Sequence, residues 1–317
     1  MKPMNHLKSI FLASALILGI SITAHAEINV VSSVKPLHSL VSGVMEGVAR
    51  PDLIVKGSAS PHTYSLRPSQ ARQLEDADLV FWMGHELESF LEQPLEAIAT
   101  KGHIVELIDS SKLKKIKMRE GGMFDAHAHD DHDEHEGHDD HGHGEFDVHV
   151  WLDPENAKVL VDEIKLALIE LDPVNSSKYE SNSNKMNMKL DQLIDEVSKK
   201  LESEQGKGYV VFHDAYQYFE QRFGMSAVGS ITVSPEVVPG ANRIRELKNK
   251  INELNAHCVF SEPQFEPKLV STVIEGTQAN TGVLDPLGAS INDGPELYFT
   301  LIRNMADSLH ECLSKKD

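Results

Sequence analysis

Seventeen histidines are spread over 317 residues. Imidazole is the side chain to follow, because its neutral ring nitrogen suits borderline divalent ions such as zinc. Three of these rings stand where ligands are normally placed. His62 lies in Gly57-Ser58-Ala59-Ser60-Pro61-His62-Thr63-Tyr64, just after a candidate strand. His149 lies in Asp147-Val148-His149-Val150-Trp151-Leu152-Asp153-Pro154, just before a helix start signal. His213 ends the apolar run Tyr209–Phe212 and opens His213-Asp214-Ala215-Tyr216. Open α/β sheets bind ligands at the carboxyl ends of their strands, and two of the three fall there. Asp285, in Leu284-Asp285-Pro286-Leu287-Gly288, follows another candidate strand and could add a carboxylate.

A ring must be neutral to donate its lone pair, so metal affinity should fall as pH drops toward the ordinary imidazole pKa of ~6.5. The other nitrogen of each ring needs an acceptor to orient it, and Asp147, Asp214 and Glu262 are the candidates. Three imidazoles with an open position also describe catalytic zinc, so a hydrolase is a competing reading. A metal buffer or adhesin-like binding protein is another. No HExxH helix and no general-base motif supports the enzyme. The remaining isolated histidines (His38, His85, His103, His257 and His310) read as ordinary surface or core residues.

Seven further histidines crowd one segment, residues 125–147: His127, His129, His132, His135, His138, His141 and His143. Ten acidic residues share it. So few apolar residues cannot build a core, and the insert is expected to be mobile, either a weak multi-ion collector of zinc or a disordered tract that binds metal only incidentally.

The elements that must position these groups follow the α/β pattern, with short apolar runs alternating with helical periodicity. Strands are predicted at Ile28–Ser32, Asp52–Val55, Asp78–Met83 and His103–Leu107. A second series is predicted at Tyr209–Phe212, Ala227–Ser230, His257–Ser261 and Thr281–Leu284. Helices are predicted at Pro36–Val48, Pro68–Asp76, Asn242–Leu254 and Pro267–Gly276. The expectation is two lobes, each with a four-stranded parallel sheet flanked by helices. Between them, Asp153-Pro154 starts a helix to Leu171, and Asp172-Pro173 starts another. The latter runs without Gly or Pro from Val174 to Gln205, a rigid strut approaching ~45 Å. The organisation is thus a leader at 1–26, an N-terminal lobe at 27–153, connecting helices at 154–205 and a C-terminal lobe at 206–317.

The leader carries Lys2, His6 and Lys8 ahead of an apolar run, Ile10–Ile22, and ends in Ala24-His25-Ala26, an A-x-A cleavage pattern. At about 13 residues the run falls short of the ~20 that span a bilayer. Cleavage after Ala26 into the periplasm is expected, and with no cysteine there a lipid anchor is not. The formal net charge of −19 argues against nucleic acid or anionic lipid as partner. Cys258 and Cys312 are the only cysteines. In an oxidising compartment such a pair normally forms a disulfide, worth ~4 kcal/mol in the chain-entropy model; a thiol metal site is the rival reading, although the two lack the CxxC spacing of zinc sites.

The motifs SPHTYSLRPSQ, DVHVWLDPENA, GYVVFHDAYQYFEQRFG, CVFSEPQF and TGVLDPLG, in this order, resemble the periplasmic zinc-binding proteins of ABC importers, the ZnuA type among cluster metal-binding receptors. The resemblance spans essentially the whole mature chain. It implies one zinc held between two lobes by His62, His149 and His213. Asp285 takes the fourth, acidic position as ligand, water-bridged partner or supporting group. It also implies a membrane permease as partner, a monomer and zinc as transported ligand. Manganese-binding relatives usually have a carboxylate where this chain has His213, so a third imidazole favours zinc. Some zinc-type members place an acidic residue just before the first histidine, where this chain has Pro61.

Overall fold

The computed structural model describes residues 28–99, 101–119, 124, 145–232, 239–254, 256–266 and 268–315. The leader with its cleavage site, and the seven histidines of the insert, lie outside these residues. Among the described residues no helix is long and apolar enough to cross a membrane.

Two four-stranded parallel sheets form the frame. The first contains β1 (Val30–Ser32), β2 (Asp52–Leu53), β3 (Leu79–Trp82) and β4 (His103–Glu106), in the order β2-β1-β3-β4. The second contains β5 (Tyr209–His213), β6 (Gly229–Thr232), β7 (Cys258–Ser261) and β8 (Asn280–Val283), in the order β6-β5-β7-β8. Parallel strands need crossovers. These are supplied by α1 (Lys35–Val44), α2 (Pro68–Asp76) and α3 (Ser89–Ala97) in one lobe, and by α6 (Gln217–Phe223), α7 (Ala241–Glu253) and α8 (Lys268–Ile274) in the other. In both sheets the first strand lies between the second and third, so strand order reverses beside it. The crevice outside the carboxyl ends at that point is where such folds bind ligands.

The lobes are joined by α4 (Pro154–Leu171), a short turn and α5 (Ser176–Leu201). Asp153 caps α4 by accepting from the Glu155 amide at 2.9 Å, with Pro154 at the first helical position. The long helix expected from Val174 to Gln205 is α-helical over 26 residues, with a 3₁₀ turn at each end. That makes it ~39 Å long. Its buried stripe, Tyr179, Met186, Leu190, Leu193, Val197 and Leu201, packs against α1, α4 and α9 (Leu297–Leu313). Gly43 on α1 leaves the space that Met186 fills.

The predicted helix Pro36–Val48 stops at Val44, where Asn182 of α5 donates to the Val44 and Glu46 carbonyls at 3.0 and 2.8 Å. Helices α3, α6 and α9 were not anticipated from sequence pattern. The disulfide joins β7 to α9 through Cys258 and Cys312.

One hydrophobic core runs through both lobes, from Val31 and Phe81 through Leu160 and Leu190 to Tyr209, Phe260 and Ile302. A smaller one covers the outer face of the second sheet, where Val210, Phe212 and Val259 meet Leu247 of α7 and Val273 of α8. The alternation along β5 divides its side chains between the two cores: Tyr209 and Val211 face one, Val210 and Phe212 the other.

Candidate metal centre

The carboxyl ends of the two sheets deliver the site. His213 is the last residue of β5, and Glu262 immediately follows β7, its neighbour across the point of reversed strand order. His62 sits in a single 3₁₀ turn, Pro61–Thr63, after β2. That loop is braced by Gln70 of α2, whose Nε2 donates to the Ile54 carbonyl at 2.6 Å and reaches the Tyr64 hydroxyl at 2.9 Å. His149 precedes the 3₁₀ turn Val150–Leu152 that leads into α4.

These three rings come together. One nitrogen from each of His62, His149 and His213 lies within 4.8 Å of the others, and no other such group occurs among the described residues. Ring centroids are 5.2 to 5.8 Å apart. His149 and His213 are buried and His62 is partly exposed. Leu87, Trp151, Phe265, Pro286 and Leu287 supply the apolar walls, contributed by both lobes.

The electrostatics favour a cation at the centre. His149 Nδ1 lies 2.7 Å from Asp147 Oδ1, and His213 Nδ1 lies 2.7 Å from Glu262 Oε1. A carboxylate only accepts, so each ring places its proton on Nδ1 and turns the Nε2 lone pair inward. The two Nε2 atoms are 3.4 Å apart. Two nitrogens each ~2.05 Å from a tetrahedral zinc would be separated by ~3.35 Å. The pair is therefore already at ligand spacing.

Burial, then the neighbouring rings, hold His62 and His149 well below the ordinary imidazole pKa. Burial also pulls His213 down, but Glu262, by charge and hydrogen bond, with help from Asp214 and Asp147, leaves it raised. Burial lifts the Asp147 carboxyl to about 7 against the His149 backbone amide, which opposes the shift.

The chain matches the family model described as zinc-uptake complex component A, periplasmic, over residues 30–312. It is 51% identical over 334 residues to the high-affinity zinc uptake system protein ZnuA of Brucella suis biovar 1 (strain 1330), covering 98% of this chain and 100% of that protein. The chain belongs to the ZnuA family. Its fold is shared with a crystal structure of ZnuA (TM-score 0.75, 22% identity, 91% of this chain and 100% of that one). The periplasmic zinc-binding protein TroA from Treponema pallidum is similar in fold (TM-score 0.76, 20% identity, 92% and 100%).

Two of the candidate carboxylates, Asp285 and Asp214, are engaged by other groups. Asp285 stands outside the group of three rings. Its Oδ1 accepts from the amides of Leu287 and Gly288 at 3.1 and 2.9 Å and from Gln264 Nε2 at 2.9 Å, while Oδ2 accepts from the Ala289 amide at 2.6 Å. It folds its own loop, in which Gly288 takes the left-handed conformation (φ 73°). Asp214 does not orient a ligand ring either: Arg119 grips its carboxylate through Nε and Nη2, and reaches Glu220 with Nη1 at 2.8 Å. Asp147 and Glu262, the other acceptor candidates, do face ligand rings.

Sequence reasoning passed over Arg119 altogether. It lies next to the short antiparallel stem, Ile116–Met118 against Glu145–Asp147, at the root of the insert. No local pattern marks it. Gln264 was inside a quoted motif, CVFSEPQF, without a role.

Proposed function

We propose that this chain captures Zn²⁺ in the periplasm and hands it to the membrane permease of an ABC importer. The observation that carries the reading is the pair of inward Nε2 atoms 3.4 Å apart, each ring backed by a buried carboxylate, with His62 closing the third corner. Three neutral nitrogens in a largely apolar cavity suit zinc better than manganese, which prefers oxygen. Membership of a zinc-uptake family supports the same cargo.

His62, His149 and His213 are the ligands in this reading, and Asp285 serves as the brace of the adjoining loop. Asp147 and Glu262 fix ring orientation and raise ligand basicity. The partly exposed His62 is the side from which the ion enters and leaves. Capture rather than catalysis is the role, with the leader removed after Ala26 and the mature chain acting as a monomer. The histidine-rich insert, His127 to His143, collects zinc weakly.

The deciding experiment is a competitive zinc titration of the mature chain beside His62→Ala, His149→Ala and His213→Ala. Each variant should lose or strongly weaken one tight equivalent while the weak insert sites persist. If all three kept that equivalent, the ligand set would be wrong.

A further inference from the structure

Three rings leave the fourth corner of a tetrahedral ion to be filled from the same cavity. Asp285 already accepts from three backbone amides and one side chain. To bind metal directly it would have to abandon contacts that fold its loop. Gln264, by contrast, lines the cavity with one group committed and one free.

Gln264 Nε2 donates to Asp285 Oδ1 at 2.9 Å. Because a carboxylate oxygen only accepts, this contact fixes which end of the amide faces Asp285 and turns the carbonyl oxygen the other way. That oxygen, Oε1, is buried and has no donor among the described residues. Buried acceptors without partners are rare, and one on a ligand cavity calls for a donor supplied from within it. A water on zinc is a strong donor and a poor acceptor, which is what an orphaned carbonyl requires.

We propose that Gln264 faces the fourth position of the bound ion and accepts a proton of a water coordinated there. Gln264 is then a positioning residue for the cargo, and Asp285 acts on the ion through it. An amide oxygen bound directly to the ion is the poorer alternative, since a neutral hard donor adds little to a site of three imidazoles. This inference rests on the three-histidine reading above.

The test uses the whole mature chain, as wild type, Gln264→Met, Gln264→Glu and His149→Ala. Zinc affinity is read by competitive titration, and the fourth position by the visible spectrum of the Co²⁺ form with added azide. Azide displaces a coordinated water but not a protein carboxylate held in its own loop. Expected are an azide-sensitive wild-type spectrum and zinc binding at least about 10-fold weaker in Gln264→Met. Gln264→Glu, which keeps an acceptor but loses the donor to Asp285, should bind zinc more tightly than Gln264→Met. Equal affinity of wild type and Gln264→Met would overturn the proposal. So would azide insensitivity in the wild type, or a Gln264→Glu variant as weak as Gln264→Met, which would leave only the brace to Asp285. A tight site surviving in His149→Ala would instead sink the underlying ligand assignment.

Discussion

His149 Nε2 faces His213 Nε2 at 3.4 Å across the boundary between the lobes, and each ring leans by its other nitrogen on a buried carboxylate. Two lone pairs so placed repel until a cation lies between them. The site is thus shaped before the ion arrives.

Asp147→Asn and Glu262→Gln remove the charge behind one ring each without changing its size. Zinc affinity should fall about 10- to 100-fold in either variant, with the fold intact. Competitive titration beside circular dichroism checks this, and unchanged affinity would mean that packing alone orients the rings.

Arg119 neutralises Asp214 and Glu220, both almost fully buried, and its guanidinium lies 3.9 Å from the centre of the Phe124 ring. Burial opposes the Arg119 charge, but the two carboxylates hold it raised. Arg119→Ala would leave two buried carboxylates uncompensated. Chemical denaturation should show a loss of about 3 kcal/mol or more.

Glu88 is fully buried between the ends of β1 and β3, accepting from the Ser33 hydroxyl and from the Met83 and Gly84 amides, each amide at 3.0 Å. Burial, only partly offset by these donors, raises its pKa from 4.5 to about 7. Between those values the folded chain holds a proton that the unfolded chain has released. Stability should therefore fall as pH rises through this window, by about 3 kcal/mol in total. Glu88→Gln imitates the neutral acid and should flatten that decline, becoming the more stable chain at pH 8. Thermal melts across pH 4 to 8 test it, and parallel curves would refute it.

The lobes are tied on both sides of the cavity. Trp151 Nε1 donates to the Pro286 carbonyl at 2.9 Å, Lys35 Nζ to the Ile291 carbonyl at 2.7 Å, and Arg222 binds Asp153 at 2.6 and 2.9 Å. With a common core as well, zinc should change the radius of gyration by less than about 1 Å, in keeping with preorganised binders. Small-angle scattering of free and loaded protein measures this; a change of several ångströms would require a hinge that these contacts do not allow.

Local pattern was enough for much of this molecule. Short apolar runs set between helical patterns marked all eight strand positions, because a run of neighbouring apolar residues is a local signal. Asp153-Pro154 marked the start of α4, because capping needs only adjacent atoms. His62, His149 and His213 could be singled out because metal chemistry restricts residue type, and strand ends restrict place.

What the sequence by itself determined is therefore the repeated β/α frame, the long helix between its halves and a short roster of imidazoles. Only the tertiary structure decided what those groups do to one another. Asp285 was open as ligand, water-bridged partner or supporting group, and its oxygens accept from Gln264 and from the amides of its own loop. Asp214 looked like a partner for a ring, but Arg119, 95 residues away in sequence, holds it instead. Gln264 was one polar residue in a motif until burial left its oxygen without a donor. Hydrogen bonds are directional and short-ranged, so a carboxylate's partner is settled by which donor the folded chain brings within about 3 Å, and sequence separation says nothing about that distance.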